Sequence, residues 1–397
     1  IPQLAARIAA PPYDVVSRSE AAALAAGNPL SFLHVGRSDI DLPPETDPHD
    51  PRIYEKARVN LRQFLTDGSF VHEAEPSLYL YELTMDGRAQ VGVVGCVHVD
   101  DYAADVIRKH EKTRKDKEDD RTRHVLTLNA HAEPVFLTHV PTPFLSQLNA
   151  KVMAEPPLYD FTSPDGVRQR VWRVRETAPY LDAFRRLGVA YVADGHHRSA
   201  SAWRAAVERK AANPAHTGNE EYNWFLAVLF PANQLRILPY FRVVKDLAGQ
   251  TPGQFLERLA GVGTLSPTDS PAPDAPGRFG IFVGGAWYRL TLDPVTIDDE
   301  DPVGSLDVTL LHERVLAPLL GIGDVRTDPR IDFVGGIRGI AELEHRVTSG
   351  AAAVAFALHP VTVQQLMAIA DAGMVMPPKS TWFEPKLKSG LFVHTLD

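Results

Sequence analysis

Five apolar residues, Val189-Ala190-Tyr191-Val192-Ala193, run directly into Asp194-Gly195-His196-His197-Arg198, and Ser199-Ala200-Ser201-Ala202 follow without a break. The first segment has the length and composition of a short buried strand. Asp194-Gly195 ends it, because glycine adopts left-handed backbone at no steric cost. From Ser199 the spacing is helical, with Ala200, Trp203, Ala206 and Val207 on one face and Arg204, Glu208 and Arg209 off it. Residues 167–174 read as a strand and 177–187 as a helix, so strand, helix, strand, turn and helix succeed one another, which calls for a mixed α/β fold. A helix start presents unpaired N–H groups at the positive end of the dipole. Two imidazoles and a guanidinium placed there make an anion site, and phosphate is its usual occupant. Gly195, His197, Arg198 and Ser199 are therefore candidate phosphate-binding residues, and Asp194, His196 and His197 candidate catalytic ones. The competing reading has one histidine capping the helix and the other solvated.

Composition narrows the classes. The 397 residues suffice for two or three structural units. The net charge of −9 argues against a protein that coats nucleic acid, and neither a helix-turn-helix pattern nor a basic tail is visible. One cysteine, Cys96, excludes a disulfide framework and a Cys-rich zinc site; its apolar surroundings predict a buried small side chain. No apolar run reaches the length of a membrane span, and Ile1-Pro2-Gln3 lacks the blocks of a signal peptide, although a start without Met leaves a trimmed beginning open. A cytoplasmic protein is the default expectation.

Ahead of the turn, Pro11-Pro12-Tyr13-Asp14 either sets Tyr13 and Asp14 at a pocket rim or forms a rigid turn whose aspartate caps local backbone. Ser17 and Glu20 form a capping-box pattern for a helix over 18–26. Residues 32–35 read as a strand. An amphipathic helix over 54–67 turns Ala57, Leu61, Phe64 and Leu65 inward. Asp86-Gly87 joins strands 78–83 and 90–99 in a hairpin. The charged run 108–121 reads as a solvated helix by its i,i+4 pairs. Within it, Glu111 beside cations is also suited to act as a general base, with Lys112 on phosphate. Behind the turn, 225–230 and 235–243 read as strands joined around 231–233. From residue 246 an α+β portion follows, with a hairpin at Gly284-Gly285, a helix over 306–320 capped by Ser305, and Gly335-Gly336-Ile337-Arg338, either a phosphate loop or an ordinary turn. In the tail, Lys379-Ser380-Thr381 supplies an ammonium and two hydroxyls to a phosphate or carboxylate, and Lys386 and Lys388 add charge; alternatively Trp382 and Phe383 simply anchor it. The predicted units are 1–245 and 246–397.

PPYDVVS, NPLSFLHV, KHEKT, DGHHR and MPPKSTWFEPKLKSG, in that order, resemble the signature of the bacterial domain-of-unknown-function family 1015. The DGHHR turn also resembles the ParB/sulfiredoxin-like superfamily, whose members hold nucleotide phosphates on a Gly-x-x-Arg turn at a helix start, and within it the free-serine kinases. Gly195, His197 and Arg198 match the sulfiredoxin turn, but His196 stands where the catalytic cysteine would be, which excludes sulfiredoxin chemistry. Gly195, Arg198 and Ala202 match the ParB turn, whose glutamate is missing.

The resemblance implies a ParB/sulfiredoxin-like core, ADP or ATP as partner, and serine or phosphoserine as the substrate pair. The leading expectation is phosphotransfer to or from a small hydroxyl compound, with a phosphatase as its variant. Glu111 or Asp14 takes the hydroxyl proton, Lys379 or Lys112 steadies the transferring group, and Mg2+ accompanies the phosphates with Asp194 as its one motif-based ligand. The alternative is a nucleotide-binding, ParB-like regulatory or DNA-associated protein without turnover. Metal-dependent hydrolysis through His196 and His197 is disfavoured, since adjacent histidines diverge on regular structure. The oligomeric state is not legible.

Overall fold

Nine strands built from the alternating and β-branched segments come first in the chain: β1 (Leu78–Met85), β2 (Arg88–His98), β3 (Ile107–Arg108), β4 (Ala130–His131), β5 (Val135–His139), β6 (Tyr159–Thr162), β7 (Arg168–Val174), β8 (Ala190–Asp194) and β9 (Trp224–Pro231). All but β4 form one sheet in the order β3-β8-β5-β9-β2-β1-β7-β6. The pairs β3/β8 and β5/β9 are parallel and the rest antiparallel. The strand that carries the polar turn thus lies second from an edge. The computed structural model describes residues 1–397 and is mixed α/β, with two compact units: 1–235 together with 385–397, and 236–384. No helix is long and apolar enough to cross a membrane.

The second unit continues with β10 (Arg236–Leu238), β11 (Tyr240–Val244), β12 (Thr264–Pro267), β13 (Arg278–Val283), β14 (Ala286–Thr291), β15 (Ile331–Gly335), β16 (Val354–Ala357) and β17 (Trp382–Glu384). Six of them form an antiparallel sheet, β12-β14-β13-β16-β11-β15, and β10 pairs with β17. The chain then returns to the first unit, where β18 (His394–Thr395) pairs with β4 and Ser389 bridges Ala10. Compactness therefore divides the chain after residue 235 and again after 384, rather than once near 245.

Local signals translate directly where the turn itself decides. Asp86 (φ 53°) with Gly87 (φ 75°), and Gly284 (φ 61°) with Gly285 (φ 83°), close the two expected hairpins. The Ser17/Glu20 capping box is present. Elsewhere packing overrides pattern. Residues Leu33–Gly36 form a helical turn, not a strand, with Phe32, Leu33 and Val35 all buried in one apolar cluster; three apolar residues around His34 are too short a run to show a period. Leu65 faces outward from the helix Pro51–Thr66. On the helix His196–Ala212 the inward face is Ala200, Ala202, Ala205 and Ala206, while Trp203 and Val207 are exposed, because small residues let the helix approach its cover closely. Cys96 is exposed on the final stretch of β2. Pro239 breaks the expected 235–243 strand into β10 and β11, which join different sheets, so no hairpin forms there. The helix expected over 306–320 contains a π turn, His312–Leu316, just ahead of Pro318, and no side chain caps it.

Gly390 (φ 85°) shows how tightly the returning tail is laid: a Cβ there would lie 2.6 Å from Phe32 Cβ and 3.0 Å from Ile8 Cγ2. Gly87 has comparable left-handed backbone with nothing within 4 Å. Gly390→Ala should therefore cost about 3 kcal/mol or more, from backbone strain and overpacking together, and Gly87→Ala about 1 kcal/mol from strain alone. Urea unfolding midpoints of the two variants check the difference.

Candidate functional site

Strand β8 ends at Asp194, Gly195 takes φ 95°, and the helix begins at His196. A Cβ on Gly195 would come within 3.0 Å of Arg198 Nε, so the glycine also makes room for the guanidinium to fold back over the turn. Ser199 is buried and returns its N–H and its hydroxyl to the Gly195 carbonyl, at 2.9 and 3.2 Å. No side chain caps the helix, which leaves its first N–H groups as donors at the turn.

Charge is arranged around that turn in two layers. The inner layer is the group Lys386, Asp194 and Arg198: Lys386 Nζ donates to Asp194 Oδ2 at 2.9 Å, and an Arg198 terminal nitrogen lies 4.0 Å from the same oxygen. Burial alone would raise the Asp194 carboxyl, but Lys386 and Arg198 hold it well below the usual carboxylate range. Burial likewise works against the Arg198 cation, and Asp14, Asp194 and Glu133 outweigh it. Arg198 also donates to the Pro134 carbonyl at the start of β5. The outer layer is acidic. Asp14, delivered by the extended Pro12 into the short turn Tyr13–Val15, comes within 3.9 Å of Arg198. Glu111 Oε2 lies 3.7 Å from His196 Nδ1. The Asp14 and Glu111 side chains are 39% and 41% exposed, against 10% for Arg198 and 5% for His196. The acids reach solvent while the cation and the imidazole do not.

His196 is held neutral. Burial pushes its pKa down to about 4, with Asp194 opposing and His197 and Arg198 assisting. Its Nε2 is buried without a hydrogen-bond partner. The His110 ring stands edge-on to it, centroids 4.4 Å apart, and is itself pushed well below the usual range by burial and by His196. His197 accepts the Arg114 N–H through Nε2 at 3.1 Å, which ties the segment following Glu111 to the turn and makes Nδ1 the protonated nitrogen of the neutral ring.

The turn residues, Asp14 and Glu111 thus meet in the first unit, and Lys386 of the tail joins them. Lys112 is exposed. Lys379, Ser380 and Thr381 belong to the second unit; Lys379 Nζ lies 5.7 Å from the Tyr240 ring centre, and Ser380 donates its hydroxyl to the Pro377 carbonyl at 2.6 Å. Gly335-Gly336 serves packing, since a Cβ on Gly335 would strike the Trp382 ring and one on Gly336 the Pro239 carbonyl. Two residues with no assigned place in the sequence reading also adjoin the turn. The Arg121 guanidinium covers the Tyr13 ring at 4.2 Å, and Glu133 is buried beside the same cations. Burial raises the Glu133 carboxyl, Arg198 and Arg121 oppose that, and Asp14 adds to it. These side chains line a cavity of about 30 Å³, enough for a water molecule. The only sequence hint was a carboxylate directly ahead of Pro134 and a buried strand.

A resident metal does not fit this site. Asp194 already answers an ammonium and a guanidinium, and no group of three or more His, Cys, Asp or Glu side chains is placed to hold a metal ion.

The profile of the family described as "Protein of unknown function (DUF1015)" matches residues 1–309. No curated protein matches the sequence. Solved structures to which the chain is similar include a free serine kinase in complex with AMP, 13% identical, covering 73% of this chain and 86% of that one at a TM-score of 0.36. SbnI with a C-terminal truncation from Staphylococcus aureus is 14% identical, covering 76% and 86% at 0.40. A conserved hypothetical protein from Pyrococcus furiosus is 13% identical, covering 75% and 93% at 0.36. At such TM-scores these likenesses carry no weight for the chemistry.

Between about pH 6.5 and 4 the unfolded chain binds a proton that native His196 refuses, so stability is complete above that window and falls as the pH drops through it. His196→Gln should therefore shrink the stability difference between pH 7 and about pH 4.5 by about 2–3 kcal/mol, at ~1.4 kcal/mol per pKa unit. Urea titrations of both proteins at the two pH values measure it.

Proposed function

The chain belongs to the DUF1015 family, a membership that assigns no reaction, and we propose that the reaction is phosphotransfer between a nucleotide and a small hydroxyl compound, with ATP and serine, or ADP and phosphoserine, as the favoured pairs. The observation that carries this reading is the two-layered charge at the turn: a buried guanidinium at an uncapped helix start, with two solvent-reaching carboxylates within 4 Å of its inner groups. A phosphate would be held by Arg198 and by the first N–H groups of the helix. Ser199, whose hydroxyl is engaged with Gly195, would shape the turn. The resemblance of DGHHR to the free-serine kinase turn supports the choice of substrate pair.

In the forward direction a carboxylate, Glu111 or Asp14, takes the proton of the substrate hydroxyl. That oxygen then bonds to the terminal phosphorus of ATP as the bond to the bridging oxygen breaks, releasing ADP. The developing negative charge lies against Arg198, already fixed by Asp194 and the Pro134 carbonyl, so little reorganisation is needed. Neutral His196 and Nδ1–H of His197 add polarity without a further full charge.

Phosphorus NMR of the protein with magnesium nucleotide, in both directions, tests this. Formation of phosphoserine from ATP and serine, or of ATP from ADP and phosphoserine, is expected, and its loss in Arg198→Ala ties it to the turn. Free phosphate alone would replace the reading with a phosphatase. Bound nucleotide without turnover would favour a regulatory protein, and salt-sensitive DNA binding would identify the DNA-associated alternative.

The base can be assigned separately. Glu111→Gln and Asp14→Asn should differ sharply in turnover: loss of the true base costs about 10²–10⁴-fold, whereas loss of the other carboxylate acts mainly on substrate affinity. Steady-state rates across pH decide which is which.

A further inference from the structure

Arg242, on β11 in the second unit, is 3% exposed and faces Phe333 of β15, with its guanidinium 5.1 Å from that ring centre. No carboxylate lies within ion-pair distance of it. Its acceptors are two backbone carbonyls, that of Tyr240 and, at a long 3.4 Å, that of Pro378. The second contact aims the guanidinium at the segment that carries Lys379, Ser380 and Thr381. Lys379 is exposed, has left-handed backbone (φ 58°), and places its ammonium 5.7 Å from the ring of Tyr240, the residue whose carbonyl Arg242 holds. It too has no acidic partner. Burial of a full positive charge is costly unless an anion answers it, and carbonyl dipoles answer it only in part. Burial accordingly pulls Arg242 down to about 10.

We infer that Arg242, Lys379 and the hydroxyl of Thr381 form an oxyanion site within the second unit, filled by a phosphate or a carboxylate of a small ligand. The planar guanidinium suits two oxygens of either group, the exposed Lys379 adds a second charge, and Thr381, two residues further along the chain, is half-buried. This site does not depend on the chemistry proposed for the turn.

Calorimetric titration of the full chain at constant ionic strength, with inorganic phosphate and separately with acetate, tests it. Two saturable phosphate sites are expected. Lys379→Ala, a change at an exposed side chain, should weaken one of them about tenfold, and Arg242→Met should remove it, while Arg198→Ala removes only the other. Acetate binding that is sensitive to Lys379→Ala, in place of phosphate binding, would equally establish the site and assign it to carboxylates. If neither anion binds in a way that Lys379→Ala alters, the inference falls and Arg242 is a structural clamp on two carbonyls. Because Lys379→Ala leaves the buried side chain in place, misfolding of Arg242→Met does not blunt the test. Loss of the Arg198-dependent site alone would count against the turn and not against this one.

Discussion

The ammonium of Lys386 on the carboxylate of Asp194 is the contact on which the first unit's polar centre depends. Asp194 closes β8 where the chain must turn, and a buried carboxylate there would neutralise itself unless a cation stood against it. Arg198 alone, at 4.0 Å, is a distant partner; Lys386 at 2.9 Å completes the balance. With Asp194 kept anionic, Arg198 can be buried and charged, and the helix start acquires a fixed cation in place of a flexible one. Removing one member of such a set typically costs about 3–5 kcal/mol, because it strands the others.

Around that centre the fold separates stiffness from access. The helix His196–Ala212 and the helix Lys115–Leu128 are laced together: Arg204 pairs with Glu118 and Asp119, and Ser201 donates to the Glu118 carbonyl. Alanines at 200, 202, 205 and 206 permit the close approach. Since His197 also holds the Arg114 N–H, the segment bearing Glu111 is pinned from both of its sides, by β3 before it and by the helix after it. Asp14 is fixed differently, by two prolines and the packing of Tyr13 under Arg121. Two acids from segments about a hundred residues apart can thus stay open to solvent without being mobile.

What was legible in the amino-acid order was whatever is decided within a few residues. The strand–glycine–helix turn, the two hairpins with paired left-handed residues and the Ser17 capping box all follow from backbone chemistry in short windows. What was not legible needed a partner from far along the chain. Nothing near Asp194 announces Lys386, 192 residues away, and the position of Glu133 ahead of Pro134 and a buried strand does not name Arg121 and Arg198 as its neighbours. On the turn helix, spacing alone sets Ala200, Trp203, Ala206 and Val207 on one face, yet close packing buries Ala200, Ala202, Ala205 and Ala206 and leaves Trp203 and Val207 exposed. Phe32, Leu33 and Val35 have strand-like composition and are buried as a helical turn, since a short apolar run states only that it is inside. Arg242 sits in a strand with no neighbour in sequence to mark its charge as unanswered.

The return of residues 385–397 to the first unit has a consequence for how the protein comes into being. During synthesis the ribosome makes residues 1–235 first, then the whole of 236–384, and only afterwards the segment that supplies Lys386, the Ser389 bridge to Ala10, and β18 for β4. Until that segment leaves the exit tunnel, β4 has no partner strand and Asp194 lacks its nearest cation. The second unit is encoded as an insertion within the first. The polar centre of the first unit is therefore assembled last, and a nascent chain cut short anywhere before Lys386 carries the DGHHR residues without the charge balance that orders them.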